Sequence, residues 1–115
     1  METITRRLIK PEDLNLANKL LGGRLLQWID EVGVIYVYGK FNETRLVTTE
    51  MRDVYFRCSP SSGDIIEFTG EIIEERKASV WIRVRVKNVT VESKEVIDCS
   101  LRFAFLDRMR GKSEN

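Results

Sequence analysis

The sequence holds no histidine, two cysteines and two prolines in 115 residues. Each shortage removes a class of chemistry. Without histidine, no Ser-His or Cys-His nucleophile pair can form and no imidazole can serve as general base. Cys58 and Cys99 lack metal-type spacing, so a zinc site would need cysteine and carboxylates alone. Both read instead as small buried hydrophobes. Nineteen basic residues against 18 acidic ones leave a formal charge of +1, which gives no electrostatic reason to expect nucleic acid or an anionic membrane as partner. The opening stretch METITRRLIKPEDL has no apolar segment of the kind a signal peptide carries, and Arg24, Asp30 and Glu31 interrupt the longest apolar block. The expectation is a soluble, cytoplasmic protein with no metal, in which any acid-base chemistry rests on carboxylates.

What is present reads as one domain over residues 1–115, with 43% hydrophobic residues, an ordinary share for a globular chain with one core. No repeat or linker interrupts it, and only GKSEN at the end reads as frayed. TITRRLI has the pattern of a short first strand and KPEDLN that of a loop. From about Lys19 to about Tyr38, apolar residues recur at helical spacing through Leu21, Leu25, Trp28, Ile29, Val32 and Tyr36. After GKFNET the period becomes two. In SVWIRVRVKN, Val80, Ile82, Val84 and Val86 alternate with Trp81, Arg83, Arg85 and Lys87, so one face is buried and the other is not. TRLVTTEMRDVYFR, DIIEFTGEII and DCSLRFAFLD complete an order of one strand, one long helix and four strands. Short connections predict an antiparallel meander with the helix on its apolar face, an α+β fold.

One carboxylate does not fit the helical pattern. Arg24, Gln27, Glu31 and Tyr38 form a polar stripe, and Leu25, Ile29, Val32 and Tyr36 lie opposite. Asp30 belongs to neither. One or two turns away lie Gly23, Leu26, Gly33, Val34 and Val37. Glycine inside a helix costs about 1 kcal/mol against alanine, so two beside one carboxylate imply that something approaches the backbone closely. A ligand and a neighbouring helix both satisfy that requirement, and spacing alone favours Asp30 as a half-exposed boundary residue.

A resemblance enters at this point. KPEDLNLANKLLGGRLLQWIDEVG, followed by VTTEMRDVYF, SSGDIIEFTGEI and ASVWIRVRV, resembles the hotdog-fold acyl-CoA thioesterases, in order and from about Leu8 to about Asp107. The likeness is greatest to the branch with a Pro, an Asn, a paired glycine and a Trp/Met-x-Asp on the helix. The fold it implies is a long central helix wrapped by an antiparallel sheet of about five strands. The activity it implies is hydrolysis of acyl-CoA to free coenzyme A and carboxylic acid, with coenzyme A entering only as part of the substrate and no separate cofactor. By the same resemblance Asp30 is the carboxylate that activates water or attacks the thioester, and Asn15 positions the water or carbonyl opposite a partner subunit's carboxylate. Gly22 and Gly23 open the helix, whose free N–H groups suit an oxyanion. Arg57, Arg76 and Lys77 flank turns at strand ends and could meet coenzyme A phosphates, with Ser79 beside them. Each of those cations is equally well read as an ordinary solvated charge.

The pattern also departs from the family, which usually has Gly at Asn18, an aromatic at Leu21, an Arg-Pro-Val-like step at Cys58 to Pro60 and Gly at Arg76. Trp81, Arg83 and Arg85 read as an outer face or a subunit contact, while Asp53 and Asp64 read as structural. A free sheet edge invites pairing with a second copy, and the resemblance implies a homodimer joining two sheets, or a trimer of such dimers, with the site shared between subunits. Two other functions keep the fold: a non-catalytic acyl-CoA or fatty-acid sensor, and a purely structural subunit. Hotdog dehydratases match poorly, since the histidine they use is missing.

Overall fold

The computed structural model describes residues 1–109, so GKSEN lies outside the described residues. Strand β1 (Glu2–Leu8) leads through residues 9–21, which hold a 3-10 turn (Pro11–Asp13), to helix α1 (Gly22–Phe41), and four strands follow: β2 (Leu46–Arg52), β3 (Ile65–Glu75), β4 (Ser79–Asn88) and β5 (Lys94–Phe105). They form one five-stranded antiparallel sheet in the order β1-β3-β4-β5-β2. The expected meander holds for β3, β4 and β5 only. Residues 53–64 carry the chain away from β2, which pairs with β5 and becomes an edge strand, and the VYFR of the predicted strand falls in this connection.

Helix α1 begins and ends about three residues later than its apolar periodicity predicts. The late start has a backbone cause. Leu20 bridges Leu14 and donates its N–H to the Pro60 carbonyl at 2.9 Å, which holds residues before Gly22 extended. The late end falls at Asn42, whose left-handed backbone (φ 57°) caps the helix with a bond from its N–H to the Tyr38 carbonyl. Of the expected stripe, Leu25, Trp28, Ile29, Val32 and Tyr36 are buried against the sheet and Val37 joins them, while Leu21 falls before the first turn and is exposed. On β4, Val80, Ile82, Val84 and Val86 are fully buried, while Trp81, Arg83, Arg85 and Lys87 line the outer face.

Gly33 explains how the helix comes close enough. A Cβ there would stand 2.9 Å from Cζ of Phe103 and 3.4 Å from Cδ1 of Ile82. The body that approaches the helix backbone is therefore the sheet itself, neither a ligand nor a second helix. Gly23, by contrast, has nothing within 4 Å of its Cβ position. Outside the core, Asp98 on β5 takes two hydrogen bonds from Arg83, at 2.8 and 2.5 Å, and one from Arg85 at 3.3 Å. The Arg83 guanidinium holds the Asp98 carboxyl below the usual carboxylate range.

Two predictions follow from these contacts. Gly33→Ala is expected to lower stability by about 1–3 kcal/mol through overpacking against Phe103. Gly39→Ala, whose Cβ meets nothing within 4 Å, is expected to raise it by up to about 1 kcal/mol through helix propensity. Thermal or urea unfolding of the pair reads the opposite signs. A lowered folded pKa means that the Asp98 contribution is present above the unfolded carboxylate value and is lost as pH falls through the folded one. Asp98→Asn should therefore flatten the acid limb of the melting temperature against pH, and an unchanged limb would refute the ion-pair account.

Candidate active site

Asp30 sits on α1 three residues before Gly33, so the close approach at Gly33 also brings its carboxylate to the sheet. Phe103 is the register partner of Thr48 on β2, and the Thr48 hydroxyl donates to Asp30 Oδ1 at 2.5 Å. The half-buried carboxylate is thus tied to the edge strand through one oxygen. Oδ2 has no partner among the described residues and stays available to accept a proton or attack a carbon.

The start of α1 is built differently. Leu21 occupies the N-cap position and no side chain caps the helix, so the first-turn N–H groups of Gly22 and Gly23 are not satisfied by a capping side chain. Gly22 is covered on one side by Phe56, whose ring would lie 3.3 Å from a Cβ there, and Gly23 faces open space. Gly22, Asn15, Leu25, Phe56, Cys58 and Pro60 line one groove of about 220 Å³. Within it the Asn15 side-chain oxygen accepts the N–H groups of Ala17 at 2.8 Å and Lys19 at 3.2 Å. That fixes the amide and leaves its NH₂ as a donor. Asn18, where the family usually has Gly, has a left-handed backbone (φ 61°) that asparagine tolerates better than other residues with a side chain, so the departure keeps the loop shape.

One chain does not bring these parts together. Gly23 and Asp30 are seven residues apart on one helix, about 10 Å along its axis at ~1.5 Å per residue. A carbonyl placed at the helix start of this chain would be out of reach of the same chain's Asp30 carboxylate.

The cations divide in the same way. Arg76 and Lys77 share a groove of about 590 Å³ with Glu75 and Arg108 at the β3–β4 turn. Arg57 lies at the other end of the sheet, near the start of β5: its N–H bonds the Val96 carbonyl and its guanidinium stands 3.7 Å from Glu95. The length of β4, about 30 Å at ~3.3 Å per residue, separates the two groups. Ser79 is fully buried, and its Oγ has no partner among the described residues. It is closed to a phosphate in this arrangement. Asp64 is structural: its carboxylate accepts the Ser61 N–H at 2.9 Å and the Asn88 amide at 3.0 Å. Sequence reasoning missed Thr48 and Phe56. Thr48 carried only its place in a strand pattern, and Phe56 stood in a segment read as strand.

The model of the thioesterase superfamily matches residues 18–94, a stretch that includes α1 and most of the sheet. The chain belongs to the thioesterase superfamily. No curated protein sequence matches it. Among solved structures it is similar to a hexameric broad-specificity acyl-coenzyme A thioesterase, crystallised with one aspartate changed to alanine, at 26% identity over 96% of this chain and 83% of that one, TM-score 0.81. It is also similar to a hexameric hotdog-fold thioesterase of Campylobacter jejuni, at 25% identity over 100% of this chain and 89% of that one, TM-score 0.78. A hexameric thioesterase from Yersinia pestis, at 22% identity over 90% of this chain and 85% of that one, TM-score 0.81, shares the fold. One helix against a five-stranded antiparallel sheet is thus the hotdog fold of this superfamily. No helix among the described residues is long and apolar enough to cross a membrane.

The two thiols of this thioesterase-superfamily chain differ in access. Burial pushes the Cys99 thiol up to about 12, and it also raises the half-buried Cys58, whose Sγ donates to the Glu95 carbonyl at 3.2 Å. Raised values mean little thiolate and slow alkylation. With iodoacetamide at pH 8, mass spectrometry should find slow labelling of Cys58 and none of Cys99 until the fold is melted. Rapid labelling of Cys99 in the native state would contradict the packing described.

Proposed function

We propose that this chain hydrolyses acyl-coenzyme A thioesters to free coenzyme A and a carboxylic acid, in a site completed by a second copy of itself. The observation that carries the reading is the Asp30 carboxylate, held at the β2 edge by Thr48 with Oδ2 unpartnered. Support comes from the superfamily match and from two relatives described as thioesterases, one acting on acyl-coenzyme A with broad specificity and the other of hotdog fold. The first was crystallised with an aspartate removed. Both are hexameric, which supports a homo-oligomer.

The dimer we propose joins two β2 strands antiparallel about a two-fold axis. The end of each β2 then lies beside the start of its mate's, and the connection that follows carries Phe56 and the groove of Asn15 and Gly22 toward the other subunit's Asp30. The same operation brings Arg57 of one subunit toward Arg76 and Lys77 of the other, where together they would face the coenzyme A phosphates. Ser79 joins them only if the turn above it opens.

In the hydrolysis, the Gly23 N–H at the open helix start receives the thioester oxygen, and the Asn15 NH₂ orients the water or the carbonyl. As general base, Asp30 Oδ2 takes a proton from water while the water oxygen bonds the carbonyl carbon. The oxyanion that forms is held by the helix-start N–H and the positive end of the dipole. It collapses with cleavage of the carbon–sulfur bond, and the departing thiolate takes up the proton. As nucleophile, Oδ2 would bond the carbon directly and release thiolate, leaving an anhydride for water to cleave.

The test is release of free coenzyme A from short, long and aromatic acyl-CoAs. Asp30→Asn is expected to keep the melting temperature and lose about a hundredfold or more in kcat. Thr48→Val is expected to lower kcat with little change in KM, since it frees the carboxylate without touching the substrate. Labelled oxygen from water appearing in Asp30 would select the nucleophile route. If wild type and Asp30→Asn are both inactive while acyl-CoA still raises the melting temperature, the protein is a binding module.

A further inference from the structure

The opposite edge of the sheet carries a second concave feature that the thioesterase reading does not use. Where β1 ends and α1 begins, Arg6, Arg7, Lys10 and Arg24 line a groove of about 350 Å³ together with Glu12 and Asp13. Two of its guanidinium groups are fixed from behind. Arg7 lies over the buried Trp28 ring, 4.2 Å from its centroid, which supports the planar group and leaves its edge N–H donors free. Arg24 is held at 3.2 Å by Asp13, which is 6% exposed and is itself fixed by the Lys10 N–H at 2.9 Å.

The charge count favours an anion. Arg6 is paired with Glu67 and Arg24 with Asp13. Arg7 and Lys10 have no carboxylate partner among the described residues, and Glu12 is the one acid of the groove without a cation partner. The groove therefore presents a surplus of donors from a side chain already immobilised, and ordering cost is what most weakens anion capture by flexible surface cations. Its volume exceeds what one phosphate group fills. β1, which supplies Arg6 and Arg7, and β2, which carries Thr48, are opposite edges of a five-stranded sheet, about 19 Å apart at ~4.8 Å per strand, while Arg24 stands six residues before Asp30 on α1, about 9 Å along its axis at ~1.5 Å per residue; the groove therefore borders the start of α1 and not the β2 edge.

We infer that the groove between β1 and α1 binds a phosphorylated ligand through a diphosphate or similar polyanionic group, with Arg7 and Lys10 as its principal contacts and Arg24 at its side. The diphosphate of coenzyme A, reaching over from its own site, and a separate phosphorylated small molecule share this chemistry. The inference stands apart from catalysis, because its probe is inorganic pyrophosphate.

The experiment is titration of the full chain with pyrophosphate, read by the Trp28 indole resonance and by calorimetry. Saturable binding that moves Trp28 and weakens with added salt is expected. Arg7→Gln with Lys10→Gln should weaken it tenfold or more, the scale of losing charge-assisted bonds. Lys87→Gln on the outer face should leave it unchanged. Lys10→Gln alone, at an exposed and unpaired side chain, should weaken it about threefold and serves if the double variant melts early. Absence of saturable binding, or equal binding by wild type and the Arg7/Lys10 variants, would overturn the inference. Given binding, displacement of pyrophosphate by free coenzyme A supports the groove and names coenzyme A as the source. Simultaneous binding of both supports it equally and names a separate ligand.

Discussion

The closeness of α1 to β5 governs the rest of this molecule. Gly33 removes the side chain that would keep the helix off Phe103, and Phe103 is the register neighbour of Thr48. Three residues earlier on the helix, Asp30 is thereby delivered to a threonine hydroxyl on the outermost strand. With a larger residue at Gly33 the helix would ride further from the sheet, and the carboxylate would lose its anchor. A packing constraint in the core thus sets the position of the one acid that the superfamily reading makes chemical.

The same helix separates the parts it organises. Its uncapped start offers N–H donors near Gly23, and its middle offers a carboxylate about 10 Å further on, too far for one small acyl group to meet both. On the proposed function, a monomer with this geometry holds two halves of a thioesterase site and no whole one. The proposed pairing of β2 strands joins a half from each copy, and it places Arg57 near Arg76 and Lys77 by the same rotation. One symmetry operation therefore answers two separations that have no solution inside a single chain.

The sequence was most legible where burial is one-sided. The alternation in SVWIRVRVKN and the stripe from Leu25 to Tyr36 predict the buried faces, because water acts on every residue of those elements in a fixed period. Asp30 stood out as a boundary residue on the same grounds. The crossing of β2 to the far edge was not legible, since alternation states which face is buried and says nothing of which strand is next. The helix start was misplaced because Leu20 and Leu21 continue the apolar spacing, while the bond from Leu20 to Pro60 that keeps them extended spans 40 residues. Of the two glycines that announced a close approach, Gly33 has one, and its source is the sheet, while Gly23 faces open space. Arg57 and Arg76 looked alike as turn cations, and only the topology puts them at opposite ends.

The two sheet edges are finished in opposite ways. β1 carries Glu2, Arg6 and Arg7 with ion pairs to Lys40 and Glu67 and a stack on Trp28, and such charges discourage another strand from docking. β2 carries Val47, Thr48 and Thr49 at its centre, uncharged residues that fit a strand partner, with its charges Glu50 and Arg52 paired to each other at the end. The edge that holds the Asp30 anchor is the one open to a second copy, and the edge that resists pairing keeps its cationic groove open to solvent. Selective blocking of one edge thus favours β2 as the place where a second copy joins in the proposed dimer, and with it which ends of two helices would share a substrate there.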